Sequence, residues 1–460
     1  MRGIEAALKV LNENKIFFAS EALRKLADRE KMKAPDISLA SSLIYIVMRR
    51  RELWEKITAN FLHSKEKLPG QVYTAILTGA GGLLELRRFS KGILINGIVE
   101  SLKRDRSLNK YISLVNAVLR KINEGGEELI NKFKRSTSLE ERAMFAGIPV
   151  KLLPAWIKTW TRSELFELFD MFEQPSYSAV RLSEGGAVMP EGLKLENNPL
   201  ASKLALSPLT GGARLEVLKY QLSDISQALR LNESVLPVTL PGFAEGLCTV
   251  QNESSILAAS LVKKFYSGKG LILDMCSGRG VKAGQILQEN PASKIECWEL
   301  SEKRSESAAN ELERLGVKDR AALKTGDALN LEPLESPSFI MLDAPCSGAG
   351  TWNRKPESKW KLDWKKFDSI VAAQKKLLDR ALTLCAPGGY VLYITCSLLK
   401  HENENVIAEV LASHVQDCTE VSGLIDWKGR AFKKGKPYGF YILPVNPWLD
   451  GFYCSLILKR

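Results

Sequence analysis

Two apolar runs in the C-terminal part of the chain constrain its fold more than any other feature. Phe339-Ile-Met-Leu-Asp-Ala-Pro-Cys-Ser-Gly and Gly389-Tyr-Val-Leu-Tyr-Ile-Thr-Cys-Ser each read as a buried strand that ends in a cysteine followed by a serine. A stretch of helical pattern, Asp368 to Cys385, lies between them. Strand, helix and strand in that order describe neighbouring strands of a parallel sheet, and such sheets bind ligands beyond the carboxyl ends of their strands. Cys346 and Cys396 are therefore expected to face one crevice. A thiol pair without metal spacing suggests covalent chemistry by one sulfur, assisted by the other. The competing reading is that both are small buried apolar side chains, the usual fate of a free cysteine.

The alternation extends over the whole region from about residue 236. Strands are expected at Leu271–Met275, Lys294–Leu300, Ala321–Thr325, Phe339–Ala344 and Tyr390–Thr395, with helices in most of the gaps. Tyr438–Leu443 and Phe452–Leu458 follow with no helix between them, which predicts a terminal antiparallel pair on the parallel sheet. Residues 1–145 read instead as helix after helix, with apolar residues at helical spacing in Leu39–Phe61, Val72–Leu86 and Tyr111–Ile122. Leu68-Pro-Gly, the Gly79-Ala-Gly-Gly stretch and Glu124-Gly-Gly are read as turns that punctuate these helices. Residues 146–235 are mixed: a helix at Ser163–Phe172, a strand at Ser178–Leu182, a weaker one at Lys203–Leu206, and turns at Glu184-Gly-Gly and Thr210-Gly-Gly. The expectation is a multidomain chain: an all-α domain (1–145), a small α+β bridging segment (146–235) and an α/β core (236–460).

Charge separates these regions. Residues 1–150 hold 27 Lys and Arg against 17 Asp and Glu, while the remaining 310 hold 38 against 36, so most of the net +12 belongs to the first third. A basic helical module on a nearly neutral core fits nucleic-acid docking, against the plainer reading of a well-solvated helical surface. All eight cysteines lie after residue 247, none forms Cys-x-x-Cys, and there are three histidines. Neither a disulfide framework nor a metal site is expected. No apolar run is long enough to span a bilayer, and the amphipathic N-terminus (Ile4, Ala7, Leu8, Leu11) does not read as a signal sequence, so a cytoplasmic location is expected.

The first core strand runs into Asp274-Met-Cys-Ser-Gly-Arg-Gly-Val-Lys, where a strand, a glycine turn and a helix start can cradle a nucleotide. Cys276, Ser277, Gly278, Arg279, Gly280, Val281 and Lys282 form this candidate cofactor turn. Glu299 ends the next strand, where a carboxylate can accept from ribose hydroxyls, and Asp327 follows the third, where it would suit an adenine amino group. Three acids in strand order argue better than each alone. No Walker-type motif is present, which counts against ATP hydrolysis.

Several runs together carry a resemblance. Asp343-Ala-Pro-Cys-Ser-Gly, Thr395-Cys-Ser, Glu402-Asn-Glu-Asn, Gly242-Phe-Ala-Glu-Gly, Val250-Gln-Asn-Glu-Ser-Ser and Asp450-Gly-Phe-Tyr are similar to signatures of the Nop/Sun RNA 5-methylcytosine methyltransferases. Leu114-Val-Asn-Ala-Val-Leu-Arg-Lys resembles the NusB-like N-terminal domain of the bacterial 16S rRNA enzymes of Sun or Fmu type. The resemblance covers nearly the whole chain and is weakest over 146–235. It implies a Rossmann-like class I methyltransferase core, S-adenosylmethionine as cofactor, an RNA partner (16S rRNA first), and action as a monomer.

By this resemblance Cys396 is the nucleophile. C5 of cytosine is a poor nucleophile, so a thiolate adds at C6 to activate it; C5 then takes the methyl group and loses its proton before the enzyme leaves. A free thiol has a pKa of about 8.5 and needs activation by its surroundings. Cys346 is implied to assist proton removal or release of the adduct. Asp343 is implied to hydrogen-bond the cytosine ring and is counted in the cofactor cradle as well, and Lys282 is a candidate to orient the base or to lower a neighbouring pKa. The base must be unstacked to enter. Arg354, Lys355, Lys359 and Trp360, in Asn353-Arg-Lys-Pro-Glu-Ser-Lys-Trp, are candidates for phosphate contact and base stacking, with Trp360 equally suited to anchoring a helix. Arg181 is a further RNA candidate.

Two departures stand out. The family's usual Pro-Gly-Gly-Lys turn is Arg279-Gly-Val-Lys here, placing Val281 where a glycine's freedom would be expected to matter, and Arg-x-Asn becomes Arg181-Leu-Ser183. The altered turn is the one support for an alternative, an RNA-binding assembly or antitermination-like factor with a decayed core. A DNA cytosine methyltransferase would use the Pro-Cys thiol as nucleophile and lack Thr-Cys-Ser.

Overall fold

The structure is a computed structural model and describes residues 2–13, 19–62, 68–87, 89–183, 220–222, 228–231, 237–240 and 242–460. The expected strand at Lys203–Leu206 and the turns at Glu184 and Thr210 lie outside the described residues. The chain divides into two compact units, Met1–Glu173 with Trp352–Trp364, and Gln174–Thr351 with Lys365–Arg460.

The first unit is helical. Its apolar stripes close on one core that includes Ile4, Leu43, Val72, Ile76, Ile98, Val115 and Leu119. The expected turns at Gly79-Ala-Gly-Gly and Glu124-Gly-Gly do not form: both stretches lie inside helices, Gly70–Glu85 and Ile112–Arg135. Packing explains the difference. A Cβ at Gly79 would meet Leu119 at 2.4 Å, one at Gly81 would meet Ile46 at 2.7 Å, and one at Gly126 would meet Leu84 at 2.9 Å. These glycines let neighbouring helices approach closely, a benefit that outweighs their low helix propensity of about 1 kcal/mol each. Helical structure continues past residue 145, through Leu139–Ala146, Leu153–Thr159 and Arg162–Glu173. Ser138 caps the first of these by accepting from the Glu141 N–H, and Gly147 ends it in a left-handed conformation (φ 81°).

Trp352–Trp364 belongs to this helical unit. Trp352 packs on Trp156 with ring centroids 5.9 Å apart, and the Trp360 indole N–H donates to the Met48 carbonyl at 2.6 Å. The Lys359 ammonium, 1% exposed, donates to the carbonyls of Arg49 and Gly147.

The second unit is built on a nine-stranded mixed sheet. Its strands are β1 (Ile272–Asp274), β2 (Ile295–Glu299), β3 (Ala321–Thr325), β4 (Phe339–Asp343), β5 (Tyr390–Thr395), β6 (Cys418–Glu420), β7 (Phe432–Lys434), β8 (Phe440–Ile442) and β9 (Phe452–Lys459). The order is β7-β8-β9-β5-β4-β1-β2-β3, with β6 also paired to β9. Strands β1 to β5 run parallel, and β9 pairs antiparallel with both β5 and β8, the terminal antiparallel finish that the sequence predicts. Parallel strands are covered on both faces, hence the near-continuous burial of Phe339-Ile-Met-Leu and Val391-Leu-Tyr-Ile. A smaller antiparallel sheet joins Tyr220–Leu222, Ala228–Leu231, Ala179–Leu182 and Cys248–Val250 in that order.

Candidate active site

The five parallel strands bring Asp274, Glu299, Asp327, Asp343 and Cys396 to one edge of the sheet, at or just past their carboxyl ends. Strands β4 and β5 are direct neighbours, with Asp343 opposite Ile394. The loops that leave them therefore start side by side, and the Cys346 and Cys396 sulfurs come within 3.1 Å. All eight cysteines are free, and these two are part-exposed while five of the others are buried. The thiol of Cys346 is pushed well above its ordinary range, first by its hydrogen bond with Cys396 and then by burial. At this separation one thiol can pass a proton to the other.

Asp343 and Lys282 form an ion pair at 2.6 Å, and the Lys282 ammonium stands 5.9 Å from the Phe452 ring centroid. Burial works to lower the lysine's pKa, but the charge and hydrogen bond of Asp343 reverse this, and the net shift is upward. The pair connects the first turn to the Pro-Cys loop. Gly350, further along that loop, touches the Asp450-Gly-Phe-Tyr stretch: the Gly451 N–H donates to the Gly350 carbonyl at 2.8 Å, and a Cβ on Gly350 would fall 1.9 Å from the Gly451 oxygen. Only glycine fits there.

The first turn shapes a cavity of about 150 Å³ lined by Asp274, Cys276, Ser277, Gly278, Arg279, Val281, Lys282 and Asp343. Gly278 (φ 60°) and Gly280 (φ 75°) carry its left-handed backbone. A Cβ at Gly280 would also press on Ala308 at 3.0 Å. Val281, by contrast, opens the helix Val281–Glu289 and has no positive φ. The backbone freedom expected to matter at 281 is not needed there, because the two preceding glycines supply it.

Sequence reasoning passed over Asp274, and the structure makes it conspicuous. It is 1% exposed, and its carboxylate oxygens have no side-chain partner and at most a weak contact with the Cys276 N–H. Burial, followed by repulsion from Asp343, pushes its pKa up to about 8. The signal was present in the sequence: an acid ends β1 just as Glu299 ends β2. Glu299 is largely used by the protein, accepting from the N–H groups of Gly278 (2.9 Å) and Ser301 (2.8 Å) and pairing with Arg304 (2.8 Å). Asp327 is exposed and accepts from the Leu329 N–H at 3.0 Å. Cys276 lines the cavity with a thiol raised by burial.

The RNA candidates divide differently. Arg181 points inward: it is 1% exposed, its guanidinium bonds Gln251 (2.8 Å) and Gln288, and burial lowers its pKa to about 10. It holds the small sheet to the helix that follows the first turn and presents no charge to a ligand. Lys359 is buried on two carbonyls and offers no phosphate contact, while Trp360, half-buried, anchors the segment in its own unit through its indole N–H. Lys355 is exposed and Arg354 half-buried. Among the described residues, His414, Asp417 and Cys418 lie close together, but Asp379 already pairs with His414 and Lys459 with Asp417.

Residues 266–458 match the family model described as 16S rRNA methyltransferase RsmB/F, and residues 3–124 match the NusB family. The chain is 32% identical over 241 residues to ribosomal RNA small subunit methyltransferase B of Shewanella oneidensis, covering 52% of this chain and 53% of that protein, about half its length. It is 27% identical over 441 residues to the protein of that name from Klebsiella pneumoniae, covering 94% and 92%. Among solved structures, PH0851 superimposes with a TM-score of 0.73 at 21% identity over 100% of this chain and 98% of that one. A methyltransferase homologue from Pyrococcus horikoshii gives 0.54 at 21% identity over 71% and 100%. These structures show the fold. Along the sequence, then, residues 3–124 are similar to the NusB family and residues 266–458 to the 16S rRNA methyltransferase RsmB/F family.

Proposed function

We propose that this chain transfers a methyl group from S-adenosylmethionine to C5 of a cytosine in 16S ribosomal RNA, through a covalent bond between Cys396 and C6. The observation that carries this reading is the thiol pair at the ends of adjacent strands, with the two sulfurs 3.1 Å apart. Cys396 adds to C6 of an unstacked base. Asp343, held by Lys282, hydrogen-bonds the ring edge and favours protonation at N3 as negative charge develops. Cys346 then helps remove the C5 proton or reprotonates the departing Cys396.

The cofactor fits the residues present. Asp274 aims a buried carboxylate with no side-chain partner into the first-turn cavity, which suits the ammonium of an amino-acid moiety. Glu299 retains lone pairs for ribose hydroxyls, and Asp327 has an exposed carboxylate for an adenine amino group. When bound, S-adenosylmethionine supplies an electrophilic methyl on a sulfonium. Residues 1–145 supply a basic docking surface, 146–235 a bridge, and 236–460 the core, with Arg354 and Lys355 as phosphate contacts. No described helix is long and apolar enough to cross a membrane, and we place the enzyme in the cytoplasm as a metal-free monomer.

Trapping with RNA that carries 5-fluorocytosine tests the assignment, because fluorine at C5 cannot leave as a proton. Wild type and Cys346→Ala are expected to form a covalent adduct, and Cys396→Ala is not. An adduct with Cys396→Ala would reverse the roles of the two thiols. A wild-type protein that binds RNA but not S-adenosylmethionine would favour the assembly-factor reading, whose one support, the altered turn, is weakened by the ordinary helical backbone at Val281.

A further inference from the structure

Each thiol is followed by a serine, and one buried side chain joins the two. Glu402 is fully buried in the short helical turn Lys400–Glu402. One carboxylate oxygen accepts from the Ser347 N–H at 2.7 Å and from Gln374 at 3.2 Å. The other accepts from the Ser347 hydroxyl at 2.5 Å and from the Ser397 hydroxyl. Ser347 follows Cys346 and Ser397 follows Cys396. The carboxylate thus spans the two loops at the first residue past each sulfur. Its own backbone is fixed by the Tyr393 hydroxyl, which donates to the Glu402 carbonyl at 2.7 Å from inside β5. Gln374 extends the tie to the Pro345 carbonyl at 2.9 Å, and Asn403 bonds Thr395 (2.6 Å) and the Ser397 carbonyl (3.0 Å).

We infer that Glu402 is a positioning residue, a clamp that sets the distance between the Cys346 and Cys396 sulfurs. Two loops that leave parallel neighbouring strands need no charge to pack, and apolar side chains of similar volume would serve stability as well or better. A carboxylate has a property those side chains lack: it accepts on both oxygens at once, from both loops, with fixed geometry. Burial raises its pKa, opposed by the hydroxyls and N–H that it binds. The inference rests on the proposed function for its catalytic meaning, but its geometric content can be measured without turnover.

The experiment measures thiol geometry first. Diamide, an azo oxidant, takes one electron and one proton from each thiol, becoming the hydrazine as the Cys346–Cys396 disulfide forms; mass spectrometry of the linked peptides gives the rate. Wild type is expected to link fast, and Glu402→Ala about tenfold more slowly. Methyl transfer to RNA should fall about 100-fold in kcat in the same variant, with KM for RNA and cofactor affinity within about twofold, as expected when a support misplaces reacting atoms by about 1 Å. Glu402→Gln keeps the reach, and both serine hydroxyls can turn to accept from its amide, so it should stay within about tenfold of wild type. Ser397→Ala, which removes one donor and leaves the carboxylate in place, should slow linking if Glu402→Ala does not fold. Wild-type linking in Glu402→Ala or Ser397→Ala overturns the clamp. So does an equal loss in Glu402→Gln and Glu402→Ala, which would assign the effect to charge. If the wild-type protein methylates no RNA, the proposed function fails while the linking rates still decide the clamp.

Discussion

Asp274 and Glu402, two of the buried carboxylates of the second unit, are about equally hidden and differently treated. Asp274, at the end of β1, has no side-chain partner, at most a weak contact with the Cys276 N–H, and lines a cavity. Glu402, beside β5, accepts from three side chains and a backbone N–H and lines no described cavity. Burying an ionised group without partners is costly, so an acid left unpaired in this way stays protonated or waits for a cation. The contrast separates a group facing a ligand from a group facing the protein, although both are acids at the end of a core strand or just past it.

Removing each acid should have opposite consequences for stability. Glu402→Ala strands one backbone N–H and the donors of Ser347, Ser397 and Gln374, and is expected to cost about 3 kcal/mol or more, read by urea denaturation. Asp274→Asn should stabilise the protein at alkaline pH. The folded pKa of Asp274, about 8, lies above its ordinary 3.8, so its contribution to stability is fully present below pH 3.8 and lost as pH rises to 8. The difference between Asp274→Asn and wild type should therefore widen from pH 4 to 8 and level off above. A flat difference would show that Asp274 is already ionised and solvated.

A smaller effect concerns the cofactor. Asp274→Asn should weaken S-adenosylmethionine about 10- to 100-fold, the scale of one hydrogen bond to a charged group. Near pH 7 wild type should release on the order of one proton on binding it, as an ammonium drives the carboxyl to ionise; calorimetry in buffers of different ionisation enthalpy reads this, and Asp274→Asn should abolish it. Smallest of all, Val281→Gly should change cofactor affinity less than about threefold, since residue 281 has no left-handed backbone for glycine to relieve.

The difference between the acids was only half legible from sequence. A period-2 or continuous apolar run ending in Asp, Glu or Cys marks a strand end, which is why β1 to β5 and the convergence of Cys346 with Cys396 could be read directly. Whether a strand-end acid finds partners depends on loops folded from distant sequence: Ser347 and Ser397 reach Glu402 across 55 and 5 residues. The same limit misassigned Arg181 and Lys359, whose cationic type suggested RNA while burial gave them glutamines and carbonyls. Gly79, Gly81 and Gly126 were read as turns because a local rule cannot see the leucines and isoleucine of neighbouring helices. Strands β6 and β7, three residues each, are too short to show a period.

Lys359 has a consequence for synthesis. Its side chain and the indoles of Trp352 and Trp360 lie in the segment Trp352–Trp364, which completes a unit whose remaining residues all precede Gln174. A ribosome releases the first 173 residues long before it reaches this segment. The helical unit must therefore wait, one piece short, with the Arg49 and Gly147 carbonyls unmet by lysine, until nearly two hundred further residues have emerged. The core that carries Cys346 begins to form during that interval. Neither unit can be made whole by itself, and a simple cut after Glu173 would leave a buried lysine and two tryptophans without their partners.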